Sequence, residues 1–490
     1  MSNYSRRQFL EDSLLAAAAM AVLPASEVLA AKAKQKKQPQ QPVSPNEKVT
    51  VMICGVNGRG RDHIKELAGR SGVEIAYICD PDEALGESRV DSVAKKQERR
   101  PKFIRDLREG LDDKSLNAVT IATPNHWHSL AAIWAMQAGK DVYVEKPVSY
   151  NVSEGRRLVE AARKYHRVCQ AGMQCRSMGG SIDAIKYVLD GKIGTVKLAR
   201  GLCYKRRDSI GPKGVYEVPK SVDYNLWQGP ASERPLTRPK FHYDWHWQYH
   251  WGNGDMGNQG PHQMDLARWG LGMDRLSDQV ISYGGRLGYE DAGDAANTQV
   301  AIHQSGDKTL VFEVRGLKTE PLKGAGVGVI FYGSDGYVVL TSYTAGAAFD
   351  LKGNKVQEFK GAGDHYANFF DAVRSRKPEI LHAESLEGHL SAGLAHTGTI
   401  SYRLGQTMPV TEIQKQLAAV KCNDDCFETL DRTIAHLKAN GVDLEKTQLT
   451  LGPMLGMNAT AETFVGNDAA SALLTREYRK PFVVPAAGQV

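Results

Sequence analysis

The chain lacks any apolar run of membrane-spanning length near its start, where Leu14–Leu23 is about half of the roughly twenty residues a spanning helix needs. With a mean hydropathy of −0.40 and 24% charged residues, it reads as a soluble globular protein, neither membrane bundle nor disordered chain. Cysteine is scarce and odd in number, seven in 490 residues, which excludes a fully paired disulfide framework. Cys54 and Cys79 sit in apolar runs that read as buried strands. Cys422-Asn-Asp-Asp-Cys426 is spaced for a local disulfide, but no second pair stands at zinc-site spacing, so no metal is expected. Charge of one sign is also missing. Lys and Arg number 62 against 56 Asp and Glu, and Lys32, Lys34, Lys36, Lys37 and Lys48 carry most of the +6 excess in one Gln/Pro/Lys stretch. That stretch reads as a flexible linker, and no nucleic-acid partner is expected. What is abundant is glycine, 48 residues against an average usage of about 7%, so turns and close backbone approaches should be frequent. The length calls for two or three domains.

Ser5-Arg6-Arg7-Gln8-Phe9-Leu10 is a twin-arginine pattern, followed by the Leu14–Leu23 run and a small-residue end at Val28-Leu29-Ala30. Residues 1–30 are therefore expected to be a signal peptide and 31–48 a linker. The twin-arginine export machinery would deliver the chain to the periplasm with no lasting membrane anchor. That route carries folded proteins, which suits an enzyme that acquires a cytoplasmic cofactor before leaving.

Val49-Thr-Val-Met-Ile-Cys54 is a strand-like run that feeds into Gly55-Val-Asn-Gly-Arg-Gly60 and then a helical stretch from Arg61 to Ala68. Strand, glycine turn and helix are the context of a dinucleotide fingerprint, in which a pyrophosphate sits at the helix N-terminus. Asn57 replaces the second fingerprint glycine and tolerates left-handed angles better than most residues. A second strand, Val73–Cys79, ends in Asp80, whose carboxylate suits a ribose 2′-OH and repels a 2′-phosphate, favouring NAD over NADP. Asn117–Pro124 and Asp141–Pro147 read as further strands with a helix opening at Asn125-His-Trp-His128 between them, so a parallel sheet of βαβ units is expected. Asn125, His128, Glu145 and Lys146 then fall at strand C-termini, the ligand edge of such a sheet.

The Gly55–Gly60 turn, Thr123-Pro-Asn-His-Trp-His128, Glu145-Lys146-Pro147 and Asn258-Gln-Gly-Pro-His262-Gln-Met-Asp265 together resemble the Gfo/Idh/MocA oxidoreductases, over about Val49 to Leu404. The resemblance implies an α/β protein with a Rossmann dinucleotide-binding domain (49–150) and a C-terminal α/β substrate and oligomerisation domain (151–408). The second domain would carry a large, open, mostly antiparallel sheet. Residues 409–490 would be an extension beyond the family core. It also implies NAD-dependent hydride transfer on a sugar, polyol or glycoside. The expected cofactor contacts are Gly55, Asn57, Gly58, Arg59, Gly60, Asp80, Thr123, Pro124, Asn125, His128, Glu145 and Lys146.

Strands are expected at 196–204, 279–285, 297–304, 309–315, 327–333 and 337–341. Short turns such as Ser305-Gly306-Asp307 and Ser334-Asp335-Gly336 make the later ones an antiparallel meander. One face of that sheet must be covered, and the resemblance points to contacts between subunits of a homodimer or homotetramer. Oxidising an alcohol needs a base for the O–H proton and a donor to the oxygen. By the resemblance His262 is the base, and Lys146, whose ammonium can donate to that oxygen, orients the alcohol. Asn258 stands where the family often has Asp, and it can hydrogen-bond a hydroxyl but take no proton. Arg176 and Asp265 complete the expected substrate set. Trp245, Trp247 and Trp251, within Phe241–Trp251, suit a wall for the apolar faces of a sugar. His242, His246 and His250 are spaced by four, but the dense aromatics and Gly252-Asn-Gly254 argue against a metal-binding helix. Lys205-Arg206-Arg207 fits either an acidic or polyhydroxylated substrate or a solvated loop. Three readings follow: an oxidoreductase retaining its nicotinamide, a glycoside hydrolase working by transient oxidation, and a non-catalytic sugar binder.

Overall fold

A computed structural model of the protein describes residues 48–490; the expected signal peptide and all but the last residue of the linker lie outside the described residues. The β-branched run Val49–Cys54 forms β1, and five further strands join it in one parallel sheet: β2 (Val73–Cys79), β3 (Lys102–Ile104), β4 (Ala118–Ile121), β5 (Asp141–Val144) and β6 (Cys169–Ala171). The order is β3-β2-β1-β4-β5-β6. Between them run α1 (Gly58–Leu67), α2 (Glu83–Ala94), α3 (Leu107–Leu111), α4 (Asn125–Gln137) and α5 (Val152–Lys164). The first sheet therefore passes the expected boundary at 150 and takes in β6, a strand of only three residues that carries no periodic signal. A parallel sheet needs both faces covered. On one face α4 and α5 pack Leu130, Ile133 and Leu158 against Val119, Val142 and Val144. On the other, Val51, Ile53 and Ile75 meet Ile64 of α1 and Phe369 and Phe370 of a helix from much later in the chain, introduced below as α10.

The second half opens with α6 (Gly179–Leu189) and β7 (Val196–Tyr204), followed by α7 (Tyr224–Gln228), α8 (Gly254–Asn258) and α9 (Gly260–Leu271). The meander is β8 (Gln279–Gly285), β9 (Thr298–Ser305), β10 (Lys308–Arg315), β11 (Val327–Gly333), β12 (Gly336–Leu340), β13 (Ala345–Asp350) and β14 (Lys355–Lys360). Then come α10 (His365–Ser375), α11 (Ser385–Arg403), β15 (Gln406–Met408), α12 (Val410–Leu417) and α13 (Cys426–Ala439). Next are β16 (Leu449–Leu451), β17 (Leu455–Asn458), β18 (Thr463–Phe464) and α14 (Asp468–Ala472). The twelve-stranded sheet runs β14-β13-β12-β11-β7-β10-β9-β8-β16-β15, with β17 and β18 attached beside β8. It is antiparallel except for the β7–β10 pair.

Along β10 the side chains alternate by the period of a strand. Leu310, Phe312 and Val314 face an inner core with Ile185 of α6, Leu266 of α9 and Leu394 of α11. Val311 faces the opposite way, in a cluster with Ile281, Tyr283, Ile302, and Ile413, Leu417, Leu430 and Leu437 of α12 and α13. The extension beyond 409 thus supplies three strands of the sheet and roofs part of its outer face. Glu313 of β10 lies under this roof, fully buried, paired with Arg200 of β7, with Arg315, and with Arg432 of α13 at 2.9 Å. After α14 the tail returns to the first sheet, where Phe482 is edge-on to Trp127 at 5.4 Å, tilted against Trp134 at 6.2 Å and under Arg108 at 5.3 Å. Arg479 holds the Gly229 and Asn225 carbonyls at 3.1 and 2.6 Å.

Candidate active site

The strand ends of the first sheet and the α8–α9 region of the second half meet around a cavity of about 530 Å³. At its floor Gly55 takes φ +76°, and a Cβ there would lie 2.6 Å from the Thr123 nitrogen. A Cβ on Gly60 would lie 1.7 Å from the Gly55 carbonyl oxygen, so the start of α1 can pass this close only without a side chain. Gly60 is therefore a packing position and does not line the cavity. In front of Gly58 nothing stands within 4 Å. Asn57 makes no side-chain cap, which leaves the first-turn amides of α1 facing the opening.

Asp80 accepts the Val56 and Asp82 N–H groups at 2.9 and 3.0 Å. It ties the glycine turn to β2, and burial raises its pKa against those bonds. Thr123 Oγ1 is buried without a hydrogen-bond partner and lines the cavity. Together with Asp80 at the neighbouring strand end, this orphaned hydroxyl and the glycine cradle fit a dinucleotide. Pro124 and Asn125 also line the cavity. Asn125 Nδ2 donates to Asn253 Oδ1 at 2.9 Å. His128 reaches the Pro147 and Thr123 carbonyls at 2.6 and 2.8 Å, joining the two loops that follow β4 and β5.

Arg59 reaches across the sheet from α1 and donates to Glu145 Oε1 at 2.8 Å, where Gln174 Nε2 (3.1 Å) and His63 (3.2 Å) also meet it. Burial pushes the Glu145 carboxyl up, but Arg59, His63 and Lys146 outweigh it and hold the group well below the usual carboxylate range. Next in sequence, Lys146 donates to the Asn258 carbonyl and lies 3.4 Å from Asn258 Oδ1. Burial is the main cause that lowers its pKa below that of an ordinary lysine, with Glu145 opposing.

His262, on the first turn of α9, packs its ring 4.9 Å from Tyr343 and puts Nδ1 4.0 Å from the Cys175 sulfur. Burial, then the charge of Lys146, holds its pKa well below the ordinary value, so the ring is neutral at working pH rather than poised near 6.5 as a free histidine would be. The carboxylate missing at Asn258 lies one helical turn earlier. Asp255 Oδ1 accepts from Asn258 Nδ2 at 3.2 Å, and Arg207 grips both its oxygens at 2.7 and 2.8 Å. That settles the open Lys205–Arg207 stretch: Arg207 is an internal clamp, stacked 5.1 Å over Trp247, while Arg206 forms an exposed pair with Asp208.

Several expected substrate residues fall elsewhere. Arg176 is bidentate on Asp265 at 2.8 and 2.9 Å and also holds Glu387, so both are spent in a buried ion network away from the cavity. Of the three tryptophans only Trp245 lines the cavity. Trp251 packs with Trp227 and Phe241, and Trp247 with Ile210 and Ala295, as core side chains. Of the three histidines spaced by four, His242 bonds to Asp82 at 2.8 Å, His246 to the Tyr243 carbonyl, and His250 to the Ser232 carbonyl at 2.7 Å. Sequence reasoning missed Gln174, Trp227 and Tyr343, while His246 and Tyr243 lie within the Phe241–Trp251 segment expected to form a sugar wall. Tyr343 sits in the β12–β13 turn, and no local pattern announces it. His246 stacks on Trp245 at 3.7 Å, and burial lowers its pKa to about 3.

A family model described as an oxidoreductase family, NAD-binding Rossmann fold, matches residues 49–173. Its C-terminal α/β domain counterpart matches residues 212–428. An α-N-acetylgalactosaminidase of Shewanella oneidensis is 30% identical over 179 residues, 34% of this chain and 39% of the relative. An inositol 2-dehydrogenase of Salmonella paratyphi B is 28% identical over 171 residues, 34% of this chain and 50% of that one. The chain thus spans half or less of the length of these relatives. Among solved structures, the WlbA dehydrogenase of Bordetella pertussis with NADH and UDP-GlcNAcA superposes with a TM-score of 0.52 at 21% identity, over 71% of this chain and 94% of that one. A levoglucosan dehydrogenase with NADH and levoglucosan gives 0.53 at 17% identity, over 71% and 95%. At these identities the likeness is one of fold.

Proposed function

This chain belongs to the Gfo/Idh/MocA oxidoreductase family, and from that premise we propose that it moves hydride between a ring hydroxyl of a sugar or glycoside and a tightly held NAD. The observation that carries the reading is convergence. Lys146 from a strand end of the first sheet and His262 from α9 line one cavity with the glycine turn and Asp80. When bound, the nicotinamide supplies the acceptor for the electron pair of the broken C–H bond. His262, neutral and facing the cavity, accepts the hydroxyl proton. Lys146 donates to the same oxygen and favours its anionic character. Asn258 holds Lys146, Asp255 holds Asn258 and Arg207 holds Asp255, so the carboxylate acts on the lysine through an amide. Acid denaturation of the purified protein should release stoichiometric NAD, and a glycoside panel should give a keto product by mass spectrometry. A protein free of nucleotide sinks the tight-retention half of the reading, and free sugar plus aglycone sinks the net-oxidation half.

That last outcome is the second reading, hydrolysis by transient oxidation, elimination and water addition. It is favoured by relatives named glycosyl hydrolase family 109 proteins, such as one of Shewanella sp. strain ANA-3 at 31% identity over 34% of this chain. Export to the periplasm belongs to the proposal on the strength of Arg6-Arg7, and fractionation of cells expressing the full chain tests it. A homodimer or homotetramer is supported by the unroofed part of the outer face, where Tyr332, Tyr337 and Phe349 are only partly covered. Sedimentation velocity tests it.

A further inference from the structure

A second cavity, of about 470 Å³, lies behind the wall of the first. The Asn125–Asn253 hydrogen bond joins the two, because Asn125 lines one cavity and Asn253 the other. Its size is in the usual range for a small-molecule site, but its chemistry differs from that of the cofactor cleft. Three guanidinium groups, Arg234, Arg403 and Arg476, face it against two carboxylates, Asp294 and Glu477. Asp294 is already engaged by the Tyr249 N–H at 2.6 Å. Burial leaves the rings of His250 and His396 neutral, with pKa values of about 4 and about 3, so neither adds charge.

Arg476 carries the argument furthest. Its guanidinium is stacked 4.1 Å over the Tyr150 ring and its Nη1 donates to the His250 carbonyl at 3.2 Å. Its Nε and Nη2 are buried with no hydrogen-bond partner, and the nearest carboxylate, Glu154, stands 3.9 Å from Nε with its own pKa raised by burial. Beyond that long ion pair, two N–H donors in a planar fork without hydrogen-bond partners are costly to bury and match the two oxygens of a carboxylate. Opposite, Arg403 lies 5.3 Å over the Tyr249 ring and makes no ion pair among the described residues. Ser232, Thr399 and Thr475 place hydroxyls around this basic centre, while the Asn151 amide is held by Glu154 and Tyr478.

We propose that this second cavity binds a hydroxylated carboxylate of monosaccharide size, such as a uronic acid, at a site separate from the cofactor cleft. Arg476 and Arg403 take the carboxylate, and the neutral polar groups take the hydroxyls. The proposal stands on this cavity alone and does not depend on the redox reading.

The test is calorimetric titration of the full-length purified protein with D-glucuronate, with D-glucose as the uncharged control. Saturable one-to-one binding of glucuronate, at least ten-fold tighter than glucose, is expected. Arg403→Gln and, separately, Arg476→Gln should weaken it at least ten-fold without changing the nucleotide that copurifies. Because Arg476 also anchors the tail, Arg403→Gln on the open side keeps the test decisive if the other variant fails to fold. Lys146→Met should bind glucuronate as the parent does. The proposal is overturned if glucuronate does not saturate, if glucose binds as well, if Arg403→Gln binds unchanged, or if Lys146→Met abolishes binding, which would put the ligand in the first cavity.

Discussion

Lys146 helps set the charge of His262, while burial sets that of Lys146. The ammonium helps keep the imidazole neutral, and burial makes the ammonium easier to discharge than that of a free lysine. The pH profile follows with its signs. Activity needs His262 neutral and Lys146 charged, so the acid limb of kcat/KM should fall below the ordinary histidine value of 6.5 and the alkaline limb below the lysine value of 10.5. Lys146→Arg, if it retains turnover, should lose the alkaline limb, because a guanidinium does not discharge in that range. His262→Asn should lower kcat by about 10²–10⁴-fold with nucleotide content unchanged, the usual worth of a positioned acid or base. Asp255→Asn should keep the fold of α8 yet shift the alkaline limb, since the carboxylate is among the charges that favour the Lys146 ammonium. A kcat–pH series on that variant checks it. The motif residues were legible because strand ends of a parallel sheet announce themselves. Tyr343 and Gln174 were not, because tertiary approach alone brings them to the cavity, nor was Asp255, whose tie to Asn258 depends on the Arg207 clamp. Arg176 and Asp265 carried the right residue types for a sugar site and were claimed instead by one another.

At the scale of elements, strands with alternating apolar residues were readable nearly to the residue, as in Val196–Tyr204 and Val327–Gly333. Those that lack the pattern were missed. β13 is Ala-Gly-Ala-Ala-Phe-Asp, too small to alternate, and β14 is exposed at five of its six positions. The glycine turn makes the sharpest element-level prediction. Gly60→Ala forces a methyl onto the Gly55 carbonyl, so α1 must retreat from β1. The variant should lose at least ~1–3 kcal/mol of stability and most of its bound nucleotide. Thermal melting and the absorbance of released nucleotide measure both.

For the whole molecule, the extension is a structural part of the second sheet rather than an appendage, and Glu313 is the group that fastens it. Burial opposes its ionisation, and Arg200, Arg432 and Arg315 reverse the balance to a pKa of about 2. A depressed carboxyl stabilises the fold above its unfolded value and loses that contribution as pH falls toward 2. Glu313→Gln should therefore melt lower than the parent at pH 7, with the gap closing as both are acidified. Removing one partner of a buried charge cluster costs about 3–5 kcal/mol. Hydrogen exchange of α13 should rise first in the variant. The resemblance pointed to an open sheet covered by another subunit, and the covering supplied by the same chain was beyond what its motifs encode.

The placement of Phe482 also has a meaning in time. The nucleotide-binding sheet is the first part of the described chain to leave the ribosome, yet one of its core side chains is added only after the entire second sheet has been made. Until then Trp127 and Trp134 present an open aromatic notch. A segment made after the second sheet thus completes the hydrophobic core of the first, so that core closes only once both sheets have been built.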